Sequence, residues 1–166
     1  MRIVVNAGHT KLGTGTGANG YLNESTETRK IVYELMKLLA DSKHEVIPAV
    51  YDRSANNLKE AVTLANNEGA DLFISIHLNA GGGTGCEAYT WRGQQVAQAV
   101  KACSYLKKLG FKNRGVKDGS ALYVIKNTKC TAILLEVCFV DNKADAELFK
   151  QTGYSNIAKA IYSAIV

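Results

Sequence analysis

A chain of 166 residues, 46% hydrophobic and 21% charged, has the balance of one folded domain with a sizeable core. Lys and Arg number 20 against 15 Asp and Glu, so the formal net charge is +5, a mild excess that favours anionic partners such as nucleic acid, membrane or an acidic wall polymer without choosing among them. The basic residues are scattered without base-stacking aromatic patterns, no stretch approaches the ~20 apolar residues of a membrane span, and the apolar N-terminal run is too short for a secretory signal, so we expect no nucleic acid, no membrane insertion and synthesis in the cytoplasm.

Residues 2–6 form a short β-branched run, predicted as a first buried strand. Residues 23–41 place Ile31, Val32, Leu35, Leu38 and Leu39 on one face of a helix. HEVIPAVY at 44–51 reads as a second strand, and Pro48, the only proline, points to a sheet edge. Ser54 can cap a helix running to about Asn67, with Leu58, Ala61, Val62 and Ala65 on one face and Gly69 after its end. DLFISIH at 71–77 is a third strand, AGGGTG at 80–85 a loop and residues 86–91 a fourth strand. A helix over 94–109 precedes Gly110; residues 121–125 and 132–137 read as two more strands, and helical spacing returns from Lys143 onward. The alternation predicts an α/β chain: a single domain over 1–166 with a mostly parallel, twisted sheet of about six strands, flanked by helices on both faces.

Cys86, Cys103, Cys130 and Cys138 form no C-x-x-C pair, which fits free thiols in a reducing compartment and offers no zinc-knuckle spacing. The segment NAGHTKLGTGTGANGYLNE at 6–24 contains a formal G-x-G-x-x-G at 15–20. A dinucleotide loop must leave the first strand directly and open the first helix. Here the fingerprint starts nine positions after Asn6 and the helix waits until about Asn23; Asp41, the acidic residue at suitable spacing, precedes the second strand instead of ending it. A cofactor loop is therefore disfavoured.

The same segment carries two metal-capable side chains. His9 lies just past the first strand, and Glu24 sits in the first helical turn, where the dipole favours a carboxylate. His77 closes the third strand. Ligands of an open parallel sheet gather beyond the carboxyl ends of its strands, an edge shared by His9 and His77; His44 opens its strand and belongs to the opposite edge. Each histidine alone reads more readily as a hydrogen-bonded structural residue; the shared edge is what favours the pair. Glu136 ends the apolar run AILLE, where a carboxylate is costly to bury without a cation or a catalytic reason, although a structural Lys or Arg partner would also account for it. Two histidines and one glutamate with a position left for water make a catalytic zinc set, and a second glutamate supplies the base.

In order along the chain, NAGHT (6–10), LNEST (22–26), SIHLNA (75–80), NRGVKDGSALYVIKNT (113–128) and LLEVCFVDN (134–142) resemble the motifs of zinc-dependent N-acetylmuramoyl-L-alanine amidases of the amidase-3 family, close to clostridial phage endolysin catalytic domains. Asn6-Ala7 and Thr10 depart from the commoner D-P-G-H-G, and Glu27 competes with Glu24, which the Asn-Glu match favours. The resemblance covers the whole chain and leaves no wall-binding module in it, so we expect one catalytic domain, isolated or excised from a longer protein, and a monomer that acts on bacterial peptidoglycan at the cell wall. It implies a Zn2+ held by His9, Glu24 and His77, with Glu136 as general base, cleaving the amide between the lactyl group of N-acetylmuramic acid and L-alanine. The loops 79–85 and 113–118 are then expected to line the groove, with Asn79, Asn113 and Arg114 as candidate substrate contacts, though Asn79 equally suits a turn. The alternatives are a cysteine peptidase using Cys138, on the Glu136 face of its strand by spacing, a non-catalytic wall-binding module, and another zinc hydrolase such as a stem-peptide peptidase on the same scaffold.

Overall fold

The computed structural model describes all of residues 1–166. Strands β1 (Arg2–Ala7), β2 (Glu45–Ala49), β3 (Leu72–Asn79), β4 (Cys86–Thr90), β5 (Asn113–Asp118) and β6 (Thr131–Phe139) form one sheet in the order β2-β1-β3-β6-β4-β5. All neighbouring pairs are parallel except β4 and β6, which run antiparallel. Six helices complete the chain: α1 (Glu24–Ala40), α2 (Asn57–Asn67), α3 (Ala97–Lys108), α4 (Tyr123–Asn127), α5 (Lys143–Thr152) and α6 (Tyr154–Ile165). The expected α/β architecture and strand count hold, and Pro48 sits on the edge strand β2 as its missing N–H requires.

Up to the bulge in β6, the strands alternate between two cores of unequal size. Ile3, Val5 and Ala7 of β1, Leu72, Ile74 and Ile76 of β3, and Ile133 and Leu135 of β6 join a 32-residue cluster with the apolar faces of α1, α3 and α6. Val4, Phe73, Ala132 and Leu134 point the other way, into an 11-residue cluster covered by α2 and the short α4. The smaller face runs out of apolar residues before its strands end. Toward the carboxyl edge it continues as Asn6 on β1, Ser75 and His77 on β3, Glu136 on β6 and Glu87 on β4. Polar side chains thus continue the side of the sheet that α2 and α4 cover.

Several expected boundaries are corrected. Residues 121–125 lie at the short helix α4 rather than in a strand, because residues 113–118, expected as a loop, take the β5 position beside β4. Ser54 does not cap α2; Asn56 occupies that position, and the Ser54 hydroxyl instead accepts from Asn56 N (2.8 Å) and donates to Glu60 (2.9 Å). The C-terminal helical stretch breaks at Gly153, whose φ of 73° ends α5 before α6 begins. Cys138 does not share the face of Glu136. A bulge after the His77–Glu136 pair shifts the register, and Cys138 packs at 0% exposure in the larger core, where burial pushes its thiol far up. All four cysteines are free, and no helix is long and apolar enough to cross a membrane.

Candidate metal centre

β1 delivers the chain to Gly8 and His9 at the carboxyl edge of the sheet, and the backbone turns there sharply. His9 has a φ of 64°, unusual for a side-chain-bearing residue. The buried Arg29 of α1 holds that turn: its guanidinium donates to the carbonyls of Ser25 (2.7 Å), His9 (3.2 Å) and Tyr51 (2.7 Å) and pairs with Asp52 (3.1 Å). Residues 10–22 then fold over the edge and return to α1. Asn23 caps the helix by accepting from Thr26 N (2.9 Å), which places Glu24 at its first position.

Three expected ligands converge. Donor atoms of His9, Glu24 and His77 all lie within 4.8 Å of one another. Nε2 of His9 stands 3.2 Å from Oε2 of Glu24, and Nδ1 of His77 stands 3.1 Å from Oε1. The hydrogen bonds around them set which ring nitrogens carry protons. Nδ1 of His9 faces the Gly15 carbonyl at 3.1 Å, and a carbonyl can only accept. Asn6 donates through Nδ2 to the Ala49 carbonyl (2.6 Å), so its Oδ1 accepts from the Ser75 hydroxyl (2.6 Å). The Ser75 oxygen is then free to accept from Nε2 of His77 at 3.0 Å. In their neutral forms both imidazoles therefore turn a lone pair toward a carboxylate oxygen. Such an arrangement is repulsive unless a cation, whether a proton on a ring or a metal ion, sits among the three groups. The donor set of two imidazoles and one carboxylate suits Zn2+ with one position left for water.

Glu24 is 3% exposed. Burial opposes its ionisation, but His77 and His9, donating to it when their rings are protonated, outweigh burial and hold its carboxyl far below the usual range. Its oxygens also accept from Ala18 N (2.9 Å) and Leu78 N (3.2 Å). The neighbouring Glu27 is engaged elsewhere, with Tyr154 OH (2.6 Å) and Lys30 (3.3 Å), and Glu24 is the glutamate that lies between the two histidines.

Two glycines are required by close approach. A β-carbon on Gly17 would stand 2.7 Å from Oε2 of Glu24 and 2.8 Å from Cδ2 of His9; one on Gly8 would lie 2.5 Å from the His77 ring. Within the glycine run that mimics a cofactor loop, Gly17 lets backbone lie directly against the side chains of His9 and Glu24.

Glu136 lies opposite His77 on one side and Glu87 on the other. Its Oε2 is buried without a hydrogen-bond partner. Burial, with the charges of Glu24 and Glu87, pushes its carboxyl well above the ordinary value. No lysine or arginine compensates it. A groove of about 490 Å³ opens beside His9, His77 and Glu136, walled by Leu58, Leu122 and Tyr123. His44 stands at the opposite end of the sheet, 3.2 Å from the N-terminal amine.

Of the candidate substrate contacts, Asn79 and Arg114 reach a charged network that sequence reasoning did not find. Glu87, 2% exposed, accepts from Asn79 Nδ2 (2.8 Å), Tyr89 OH (2.7 Å), Arg114 Nε (2.5 Å) and Lys117 Nζ. Burial disfavours its charge, yet Arg114, Lys117 and Tyr89 together hold its carboxyl at about 2. Asn113 is not part of this network: its side chain is exposed and accepts from Gly115 N at 2.8 Å. The signal missed is the alternation of CEAYT, which puts Glu87 and Tyr89 on one face of β4, by the same reasoning that flagged Glu136.

The family described as N-acetylmuramoyl-L-alanine amidase (Amidase_3) matches residues 3–166. The N-acetylmuramoyl-L-alanine amidase CwlM of Bacillus licheniformis is 33% identical over 93% of this chain, and the endolysin of Bacillus phage SPP1 34% identical over 92%. The chain spans 62% and 59% of those two relatives. Among solved structures, the catalytic domain of the CD27L endolysin targeting Clostridia Difficile superposes with a TM-score of 0.88 at 31% identity, covering 99% of this chain and 96% of that one.

Proposed function

Because the chain belongs to the N-acetylmuramoyl-L-alanine amidase family, we propose that it hydrolyses the amide between the lactyl group of N-acetylmuramic acid and L-alanine in bacterial peptidoglycan. The observation that carries this reading is the convergence of His9, Glu24 and His77 beside the unpartnered Oε2 of Glu136. His9 Nε2, His77 Nδ1 and a Glu24 oxygen would hold one Zn2+. When bound, that ion supplies Lewis-acid polarisation of the amide carbonyl and acidifies a water.

The protein's own groups do the rest. Gly15, through its carbonyl, and the Asn6–Ser75 pair fix the imidazole tautomers, so no reorganisation is needed at the ligands. Arg29 holds the His9 turn in its left-handed conformation. Glu136 takes a proton from the attacking water as its oxygen joins the carbonyl carbon. It then gives that proton to the alanine nitrogen as the carbon–nitrogen bond breaks, because an unprotonated amide nitrogen leaves poorly. A carboxylate without other partners suits both halves of that transfer. The apolar groove wall at Leu58, Leu122 and Tyr123 offers surface to the sugar ring and to the methyl groups flanking the scissile amide.

Product analysis tests the reading. Digestion of purified walls is expected to release new N-terminal alanine from intact glycan strands. New reducing ends would indicate a glycosidase. New termini within the stem would indicate a peptidase on the same scaffold, and no product from metal-loaded protein would indicate a non-catalytic wall-binding module.

A further inference from the structure

Glu87 raises a question that hydrolysis does not answer. It lies directly opposite Glu136 in the antiparallel β4–β6 pair, so the two carboxylates share one face of the sheet. Side chains so placed have β-carbons about 4.5–5.5 Å apart. Burying a second carboxylate beside a general base is unfavourable unless something is gained. What Glu87 organises is a pair of cations. Arg114 uses only Nε on Glu87, and its guanidinium rests on the Phe139 ring at 5.1 Å. Lys117 lies opposite Tyr89 in the β4–β5 pair and reaches the same carboxylate oxygen. Both cations remain about a third exposed, at 30% and 37%, while Glu87 is buried. The group carries one negative and two positive charges. It therefore presents a net positive charge, held rigidly, with guanidinium and ammonium donors to spare.

We propose that Arg114 and Lys117, pinned on Glu87, form a carboxylate-binding subsite that reads the free carboxylate borne by the stem residue following L-alanine. This rests on the amidase reading above. The spacing suits it. The next residue's Cα lies about 3.8 Å from that of alanine, so its carboxylate falls one side-chain length beyond the scissile amide. Arg114 and Lys117 stand one side-chain length beyond Glu87, which is one strand from Glu136. A planar guanidinium with both Nη groups uncommitted suits a carboxylate, and the neighbouring ammonium adds charge. A neutral carboxamide at the same place would meet the same donors with a much weaker interaction.

The test compares two soluble glycan–peptide fragments that differ only at the second stem residue, one with a free α-carboxylate and one with an α-carboxamide. The metal-loaded wild type is expected to favour the carboxylate by about tenfold or more in kcat/KM, the scale of one charged hydrogen bond, with the difference in KM. Arg114→Gln and Lys117→Met are each expected to compress that ratio toward one while zinc content stays unchanged. Arg114→Lys, which keeps charge but not the planar fork, is expected to restore part of it. Thermal unfolding identifies a variant that merely fails to fold, and either of the other two then supplies the reading. A wild-type ratio near one, or a ratio that the folded variants leave unchanged, overturns the subsite while leaving the amidase reading intact. Cleavage of neither fragment nor of whole walls by zinc-loaded protein overturns the amidase reading, and the subsite with it.

Discussion

Replacing Gly17 with alanine separates two costs that usually arrive together. Gly17 has a φ of 79°, and nearby Gly15 a φ of 78°, so alanine at either position carries the left-handed penalty of about 1–2 kcal/mol. The surroundings differ. A β-carbon on Gly15 finds only Thr10 Oγ1, at 4.0 Å, whereas one on Gly17 meets Oε2 of Glu24 at 2.7 Å and the His9 ring at 2.8 Å. That carboxylate oxygen cannot simply swing aside. It is buried and already accepts from Ala18 N while facing Nε2 of His9. Metal-free Gly15→Ala should therefore melt about 2–8 °C below wild type, the shift expected from that penalty in a domain of this size, and metal-free Gly17→Ala lower still, because the clash adds to it. Zinc affinity, measured by competition with a chromogenic chelator, should be nearly unchanged for Gly15→Ala. For Gly17→Ala it should fall by about 10–100-fold, the usual cost of disturbing the groups that hold a ligand in place. Equal losses of zinc affinity in both variants, or none in either, would refute the assignment of this glycine to ligand clearance.

The other expectations are simpler to state. His77→Ala should abolish stoichiometric zinc in metal analysis, and Glu24→Gln should weaken it with activity falling in step, while His44→Ala at the far end of the sheet leaves both unchanged. Glu136→Gln should retain zinc and bind walls while turnover drops by ~10²–10⁴-fold; its metal-free melting temperature at neutral pH should not fall, because the carboxylate removed has no partner for Oε2. Activity near wild type with zinc bound would remove Glu136 from the mechanism. Glu87 has its carboxyl held at about 2 against an ordinary 4.5. The stability it contributes is present above pH 4.5 and is lost as pH falls toward 2. Acid unfolding curves of Glu87→Gln should therefore be flatter than wild type between those values; identical slopes would show that the carboxylate is not stabilised by its cations.

His9, Glu24, His77 and Glu136 were readable from the sequence because each sits where a local pattern ends: the close of an apolar strand or the first turn of a helix. Strand direction then sorts such positions between two edges of a sheet, which is how His44 separates from His9 and His77. The parallel order of most strands follows from the same alternation. The charged network around Glu87 was not readable, because it joins β4, β5 and the end of β3 through contacts far apart in sequence. Residues 113–118 carry little apolar pattern, with an edge strand's polar composition and a glycine, so only pairing with β4 reveals them as a strand. Cys138 shows the limit of period-two reasoning: a single bulge reverses the faces that follow, and local sequence does not mark it. The role of Gly17 also belongs to tertiary structure. A glycine's freedom is visible in sequence, but the atoms that would collide with its missing side chain come from His9 and Glu24 only after the chain has folded back over the edge of the sheet.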